Sequence, residues 1–85
     1  MKALVHVTLK PDVLDPQGEA IRKACATLGY GAIGAVRQGK LFEVELEASS
    51  ADEARRLLDE LAAKLLANPV IEDHRIASID GAPAD

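Results

Sequence analysis

Apolar and polar positions alternate at the start of the chain. Ala3, Val5, Val7 and Leu9 share one face, and Leu4, His6 and Thr8 share the other. That period of two predicts a strand with one buried face. "KPDVLD" interrupts it at Pro11 and predicts a loop. The period then changes: Ala20, Ile21, Ala24, Cys25 and Leu28 recur at helical spacing and form one stripe. Asp15 suits the cap of this helix, because its carboxylate can accept the free amides of the first turn. Pro16 suits the first helical position, and Gly29 the left-handed residue that closes a helix.

The next stretch, "GYGAIG" at residues 29–34, spells G-x-G-x-x-G. That pattern holds a dinucleotide only where it leaves a strand and opens a helix. Here it follows a helix and precedes strand-like sequence. The glycines therefore read as a helix stop and as turn residues. Residues 32–38 and 41–48 read as a hairpin about Gln38-Gly39. That turn sets Ile33 opposite Val44 and Ala35 opposite Phe42. Phe42, Val44 and Leu46 then face the core, and Glu43, Glu45 and Glu47 point away. A slip of one residue would set Val36 against Glu43, a poorer match. Val36 and Leu41 fall beside the glutamates, a hint that the outer face meets a partner.

"SSADEARRLLDELAAKLLANP" predicts the second helix. Ser50 and Glu53 have capping-box spacing. Ala54, Leu57, Leu58, Leu61, Leu65 and Leu66 make a continuous apolar stripe, and Asn68-Pro69 ends it. "VIEDHRIASI" is a last strand whose faces mix apolar and charged residues, as an edge or interface strand would. "DGAPAD" reads as a loose polar tail. The order β-α-β-β-α-β predicts an α+β, ferredoxin-like fold, a four-stranded antiparallel sheet with two helices on one face. Residues 1–80 form the single domain and 81–85 a flexible tail. The other sheet face, left uncovered, is the expected dimerisation surface.

Composition narrows the function. The chain has 85 residues and is 48% apolar, with Tyr30 and Phe42 its only aromatic residues. A core of Leu, Val, Ile and Ala follows, and a chain this short gains from association. Net charge is −4, with both signs interspersed. A nucleic-acid partner is therefore not expected. No stretch approaches the ~20 apolar residues of a membrane span. The start reads as a strand and not as a signal peptide, so a cytoplasmic protein is expected.

Candidate chemistry is sparse. His6 and His74 sit in different strands, and Asp73 points away from its neighbour His74. Cys25, the single cysteine, falls on the first helical stripe and reads as a buried structural thiol. Glutamates two apart on a strand lie about 7 Å apart, too far to hold one small ion unaided. Lys10, Arg37 and Lys40 cluster at loop and turn positions and could hold an anion or a partner's carboxylate. No nucleophile has an attendant base, and no acid pair or metal set assembles. The residues favour an interaction module over an enzyme.

Three stretches in this order, "TLKPDVLDPQGEAI", "LGYGAIGAVRQGK" and "LLANPVIED", resemble the PurS subunit family of phosphoribosylformylglycinamidine synthase. The resemblance runs from Met1 to about Ile79. It implies a non-catalytic subunit of an ATP- and glutamine-dependent ligase of purine biosynthesis, with no catalytic site and no cofactor on this chain. ATP and magnesium would bind the large synthetase subunit. The chain would form a dimer or a dimer of dimers and bridge that subunit to a glutaminase subunit for ammonia transfer. Arg37, Lys40, Asn68, Pro69, Val70, Ile71 and Glu72 are the expected interface residues. Asp12 departs from the family, where a glycine or small polar residue is common, and Ala62-Ala63 replaces a Met-Cys-Glu-like stretch.

Two rival readings share the topology. An acylphosphatase-like hydrolase needs an anion-cradling loop with an Arg and an Asn that positions water, and Asn68, the only asparagine, is pinned before a proline. A small ligand-binding regulatory domain usually carries a glycine-rich effector loop or an attached catalytic domain.

Overall fold

The computed structural model describes residues 1–84. Its centre is β1 (Lys2–Leu9), whose alternation buries Ala3, Val5 and Val7 completely. β2 (Gly39–Glu45) pairs antiparallel with one edge of β1, setting Phe42 beside Val5 and Val44 beside Ala3. β3 (Glu72–Ile79) pairs antiparallel with the other edge, setting Ile76 beside Val5 and Ile79 beside Ala3, with a bulge between Leu4 and Val5. A short β4 (Ala82–Pro83) adds to β3, so the sheet order is β2-β1-β3-β4.

The helix α2 (Ala51–Leu61) lays Ala54 and Leu58 on this sheet, chiefly over β3. Ser50 caps it by accepting the Glu53 N–H at 3.1 Å. The Glu53 carboxylate reaches back to Ser49 rather than to Ser50. After Leu61 the chain makes one π-helical turn, Ala62–Leu66, closed by the Ala67 N–H donating to the Ala62 carbonyl at 2.9 Å. A wider turn carries more residues per revolution. Leu66 and Ala67 therefore face inward with Ala62, while Leu65 is 78% exposed. The predicted single stripe is split. Ala54, Leu58 and Ala62 are buried, and Leu57 and Leu65 form a second, exposed apolar edge.

The other helix, α1 (Pro16–Thr27), has the punctuation its sequence predicts. Asp15 Oδ1 accepts the Gly18 N–H at 2.9 Å. At the far end Gly29 has φ +93°. The Tyr30 N–H donates to the Cys25 carbonyl at 2.8 Å and the Gly29 N–H to that of Ala26 at 3.2 Å, the paired bonds of a Schellman closure. Yet α1 has no seat on the sheet. Gly18 is its only buried residue, and Ile21 and the capping Leu28 are exposed.

The predicted hairpin is not formed. Ala32 lies in a turn, residues 33–38 form no regular element and do not join the sheet, and β2 starts only at Gly39. The reason is local. Asp15 Oδ2 accepts the Gln38 N–H at 2.7 Å, and the Arg37 guanidinium donates to the Lys10 and Val13 carbonyls, both at 3.0 Å. Gly18 lies so close to Val36 that an added Cβ would collide with the Val36 carbonyl oxygen. These contacts tie residues 36–38 to the start of α1, so the chain cannot turn back at Gln38-Gly39. Ile33 and Val44 remain apart, and the outer edge of β2 is unpaired among the described residues.

The fourth strand comes from the tail instead. Asp80 and Gly81 have φ +51° and +81°, the left-handed pair of a tight hairpin turn. β4 follows, and Ala84 is buried in the core. Ala82–Pro83 therefore form a strand where the sequence reads as a loose tail over 81–85, and Asp85 lies outside the described residues. The α+β class holds, with a four-stranded antiparallel sheet and two helices, in the order β-α-β-α-β-β.

The sheet face away from α2 is mainly polar. Lys2 pairs with Glu43 at 3.7 Å across it, and Arg75 lies 3.0 Å from His6 Nδ1. The exposed apolar side chains concentrate elsewhere, on α1 and residues 28–33 and on the outer edge of α2.

Candidate partner interface

The seven residues singled out from the sequence meet at one end of the sheet, where β1 ends and β2 and β3 begin. Asn68 builds the corner. Its side-chain oxygen accepts the Val70 N–H at 3.0 Å, and its carbonyl accepts the N–H groups of Ile71 at 3.1 Å and Glu72 at 2.7 Å. Glu72 returns the bond, its carboxylate accepting the Asn68 N–H at 2.7 Å. Pro69 fixes the backbone between them. The Lys10 N–H donates to the Ile71 carbonyl at 2.8 Å and fastens the corner to the end of β1. Val70 is 78% exposed and Ile71 is partly exposed, so a rigid turn presents two apolar side chains outward.

Charge is organised around that corner. The Glu72 side chain is only 11% exposed and lies 3.4 Å from Lys40 Nζ. The Asn68 N–H, and then Lys40, hold its carboxyl below the usual carboxylate range. Asp15, at the start of α1, is a buried polar residue, 6% exposed. The backbone N–H groups of Gln38 and Gly18 lower its pKa most, and the Arg37 charge adds to them. Lys10 Nζ lies 3.9 Å from Asp73. The expected trio of Lys10, Arg37 and Lys40 is thus brought to one end. Each member is already engaged, by Asp73, by two carbonyls and by Glu72. An open anion cradle does not result.

Other candidates are dispersed. His74 Nε2 lies 3.2 Å from Asp59 and links β3 to α2, while His6 faces Arg75 on the opposite side of the sheet. Among the described residues no group of three His, Cys, Asp or Glu side chains could hold a metal ion. Cys25 is half-buried rather than buried, because nothing covers the stripe of α1. Sequence reasoning missed the exposed edge of α2. The signal was present, since a stripe holding both Leu57 and Leu58 is wider than one contact with a sheet requires.

A tied-down corner with apolar tips and paired charges thus stands at one end of a small α+β sheet. The PurS family model, described as phosphoribosylformylglycinamidine (FGAM) synthase, matches residues 2–80, and the chain belongs to this family. It is 45% identical over 76 residues to the phosphoribosylformylglycinamidine synthase subunit PurS of Archaeoglobus fulgidus, covering 89% of this chain and 95% of the relative. The crystal structure of Methanocaldococcus jannaschii PurS, a subunit of formylglycinamide ribonucleotide amidotransferase of purine biosynthesis, superposes with a TM-score of 0.81 at 36% identity, covering 88% of this chain and 90% of that one. A chain in the Thermotoga maritima PurLQS structure superposes with a TM-score of 0.80 at 25% identity, covering 93% and 99%. No helix among the described residues is long and apolar enough to cross a membrane.

Proposed function

We propose that this chain is the non-catalytic assembly subunit of FGAM synthase, working in the cytoplasm as a homo-oligomer. It bridges a glutaminase subunit and a large synthetase subunit, so that ammonia released by the first reaches the second. ATP and magnesium act on the synthetase subunit in this reading. The observation that carries it is the family match over nearly the whole chain, joined to a corner built for contact. The Thermotoga maritima PurLQS structure, which contains a chain of this fold, supports a place in such an assembly. At the corner, Asn68, Pro69 and Glu72 hold the turn, Val70 and Ile71 supply the apolar contact, and Lys40 supplies exposed charge. Arg37 fixes the geometry through its two carbonyl bonds.

Co-purification with candidate glutaminase and synthetase subunits tests the reading, followed by assay of amidation with glutamine and with free ammonia. Glutamine-dependent activity is expected to require this chain, and ammonia-dependent activity to proceed without it. If neither partner is retained and glutamine turnover is indifferent to the chain, the reading fails.

A further inference from the structure

Asp80 stands apart in both sequence and backbone. It is the only aspartate followed by glycine, and the one asparagine, Asn68, precedes a proline. Among the described residues it is also the only one other than glycine with a positive φ, +51°, and Gly81 follows at +81°. Aspartate tolerates that conformation better than most side chains. Both residues are exposed, and a Cβ added to Gly81 would meet no atom within 4 Å. Nothing outside the turn therefore screens the Gly81 nitrogen from the side chain of its neighbour.

The same turn holds two strand ends together. The Asp80 N–H donates to the Lys2 carbonyl at 2.7 Å, and Asp80 Oδ1 accepts the Lys2 N–H at 2.9 Å. The carboxylate thus stands where a further strand carbonyl would accept, and it clasps the first residue of β1. Beyond the turn β4 has two paired residues, Ala82 opposite Ile79 and Pro83 opposite Ser78. The Ala84 N–H donates to the Ala77 carbonyl at 3.2 Å, and Ala84 itself is 5% exposed. An exposed clasp and so short a strand open far more cheaply than the centre of the sheet, and opening frees the Asp80 carboxylate.

We propose that Asp80-Gly81 is a site of spontaneous backbone isomerisation, whose product releases β4 and the start of β1 from the turn. The Gly81 nitrogen forms a bond to the Asp80 side-chain carbon. One carboxyl oxygen leaves as water, taking the amide proton and a proton from solvent, and a succinimide ring remains. Water then opens the ring. Addition at the side-chain carbonyl restores the original linkage. Addition at the main-chain carbonyl routes the chain through the Asp80 side chain, an isoaspartyl linkage with a free carboxylate on Cα. Water is the only co-reactant, and nothing is oxidised or reduced. The main chain then carries one carbon more inside a two-residue turn, whose register has no room for it. The carboxylate, now attached directly to Cα, no longer reaches the Lys2 N–H. Ala84 loses its seat, and the new carboxylate becomes a substrate for enzymes that methylate isoaspartyl groups.

The test ages the full folded chain for weeks at 37 °C and neutral pH, beside a sample kept unfolded in urea. An isoaspartyl carboxyl methyltransferase with labelled S-adenosylmethionine then reads the linkage, and peptide fragmentation places it. Methyl uptake by the folded sample is expected only in the peptide that holds Asp80. It is expected to vanish in Asp80→Glu, which would have to close a larger ring. Asp80→Asn, whose side-chain nitrogen leaves as ammonia, is expected to reach the same linkage sooner, and it serves where Asp80→Glu does not fold. Hydrogen exchange of the aged fraction is expected to show lost protection at the Ala84 amide. Uptake by the urea sample alone, or at another aspartate of the folded one, overturns the proposal. Uptake at Asp80 with Ala84 still protected overturns the release of β4.

Discussion

Along α2 and at the first residue of the π turn beyond it, Ala54, Leu58 and Ala62 are at most 1% exposed, whereas on α1 Ile21 and its capping neighbour Leu28 are 44% and 72% exposed. Both helices carry an amphipathic stripe, and both are well capped. The difference shows that punctuation and burial are separate contributions. α2 is held by what lies beneath its middle, and α1 by what is bonded at its ends. Asp15 closes the near end of α1 and Gly29 the far end, while Ile21 on the stripe between lies exposed.

This contrast can be broken most strongly in the body. Leu58→Ala removes a side chain only 1% exposed, and such truncations cost about 3–5 kcal/mol. In a chain of this size that removes most of the stability, and thermal unfolding followed by circular dichroism is expected to show little native structure left at 37 °C. Ile21→Ala is the matched change on α1. It is expected to leave the sheet folded, with the native circular dichroism signal kept at 37 °C, because Ile21 is already 44% exposed.

Gly18→Ala comes next, because the added methyl meets the Val36 carbonyl, a backbone atom that cannot swing aside. Overpacking of this kind costs about 1–3 kcal/mol. Hydrogen exchange at Gln38 and Gly18 is expected to accelerate, with the amides of β1 unaffected. Equal acceleration in β1 would show that α1 and the sheet are one unit after all.

Acid provides a gentler probe. Asp15 and Glu72 have folded pKa values below their usual ones. Their contribution is therefore complete above the ordinary carboxylate pKa of about 4 and is lost as pH falls through the lower folded values. The melting temperature is expected to be flat from pH 7 to 5 and to drop below about pH 4. The Asp15→Asn and Glu72→Gln double variant is expected to flatten that drop. The smallest effect belongs to Lys40→Ala. Its side chain is 61% exposed, so the melting temperature is expected to move by less than about 2 °C, while capture of the partner subunits weakens. Loss of both to a similar degree would remove Lys40 from the interface.

The legible parts of the sequence were those fixed by near neighbours. The caps at Asp15, Ser50 and Gly29, the alternation of β1, and the inward Phe42 and Val44 all depend on contacts a few residues away or on a simple period. What escaped was decided at a distance. Nothing in "AIGAVRQ" announces that Gln38 donates to a carboxylate 23 residues earlier. The left-handed turn at Asp80-Gly81 was hidden by the polar look of the tail. The π turn was hidden because an extra residue per revolution leaves no mark on composition. At the candidate interface, the turn from Asn68 to Glu72 followed from Asn-Pro chemistry. The neutralising partners of Lys10 and Lys40 sit on β3 and depend on how the strands are registered.

A helix with no seat of its own also sets the order in which the chain acquires its structure. β1, α2, β3 and β4 can collapse at a rate independent of concentration, since all their contacts lie within one molecule. α1 rests on no such surface within the molecule, so the chain between Leu9 and Gly39 is expected to open while the sheet persists, and a protease is expected to nick it there before it cuts β1 or β3.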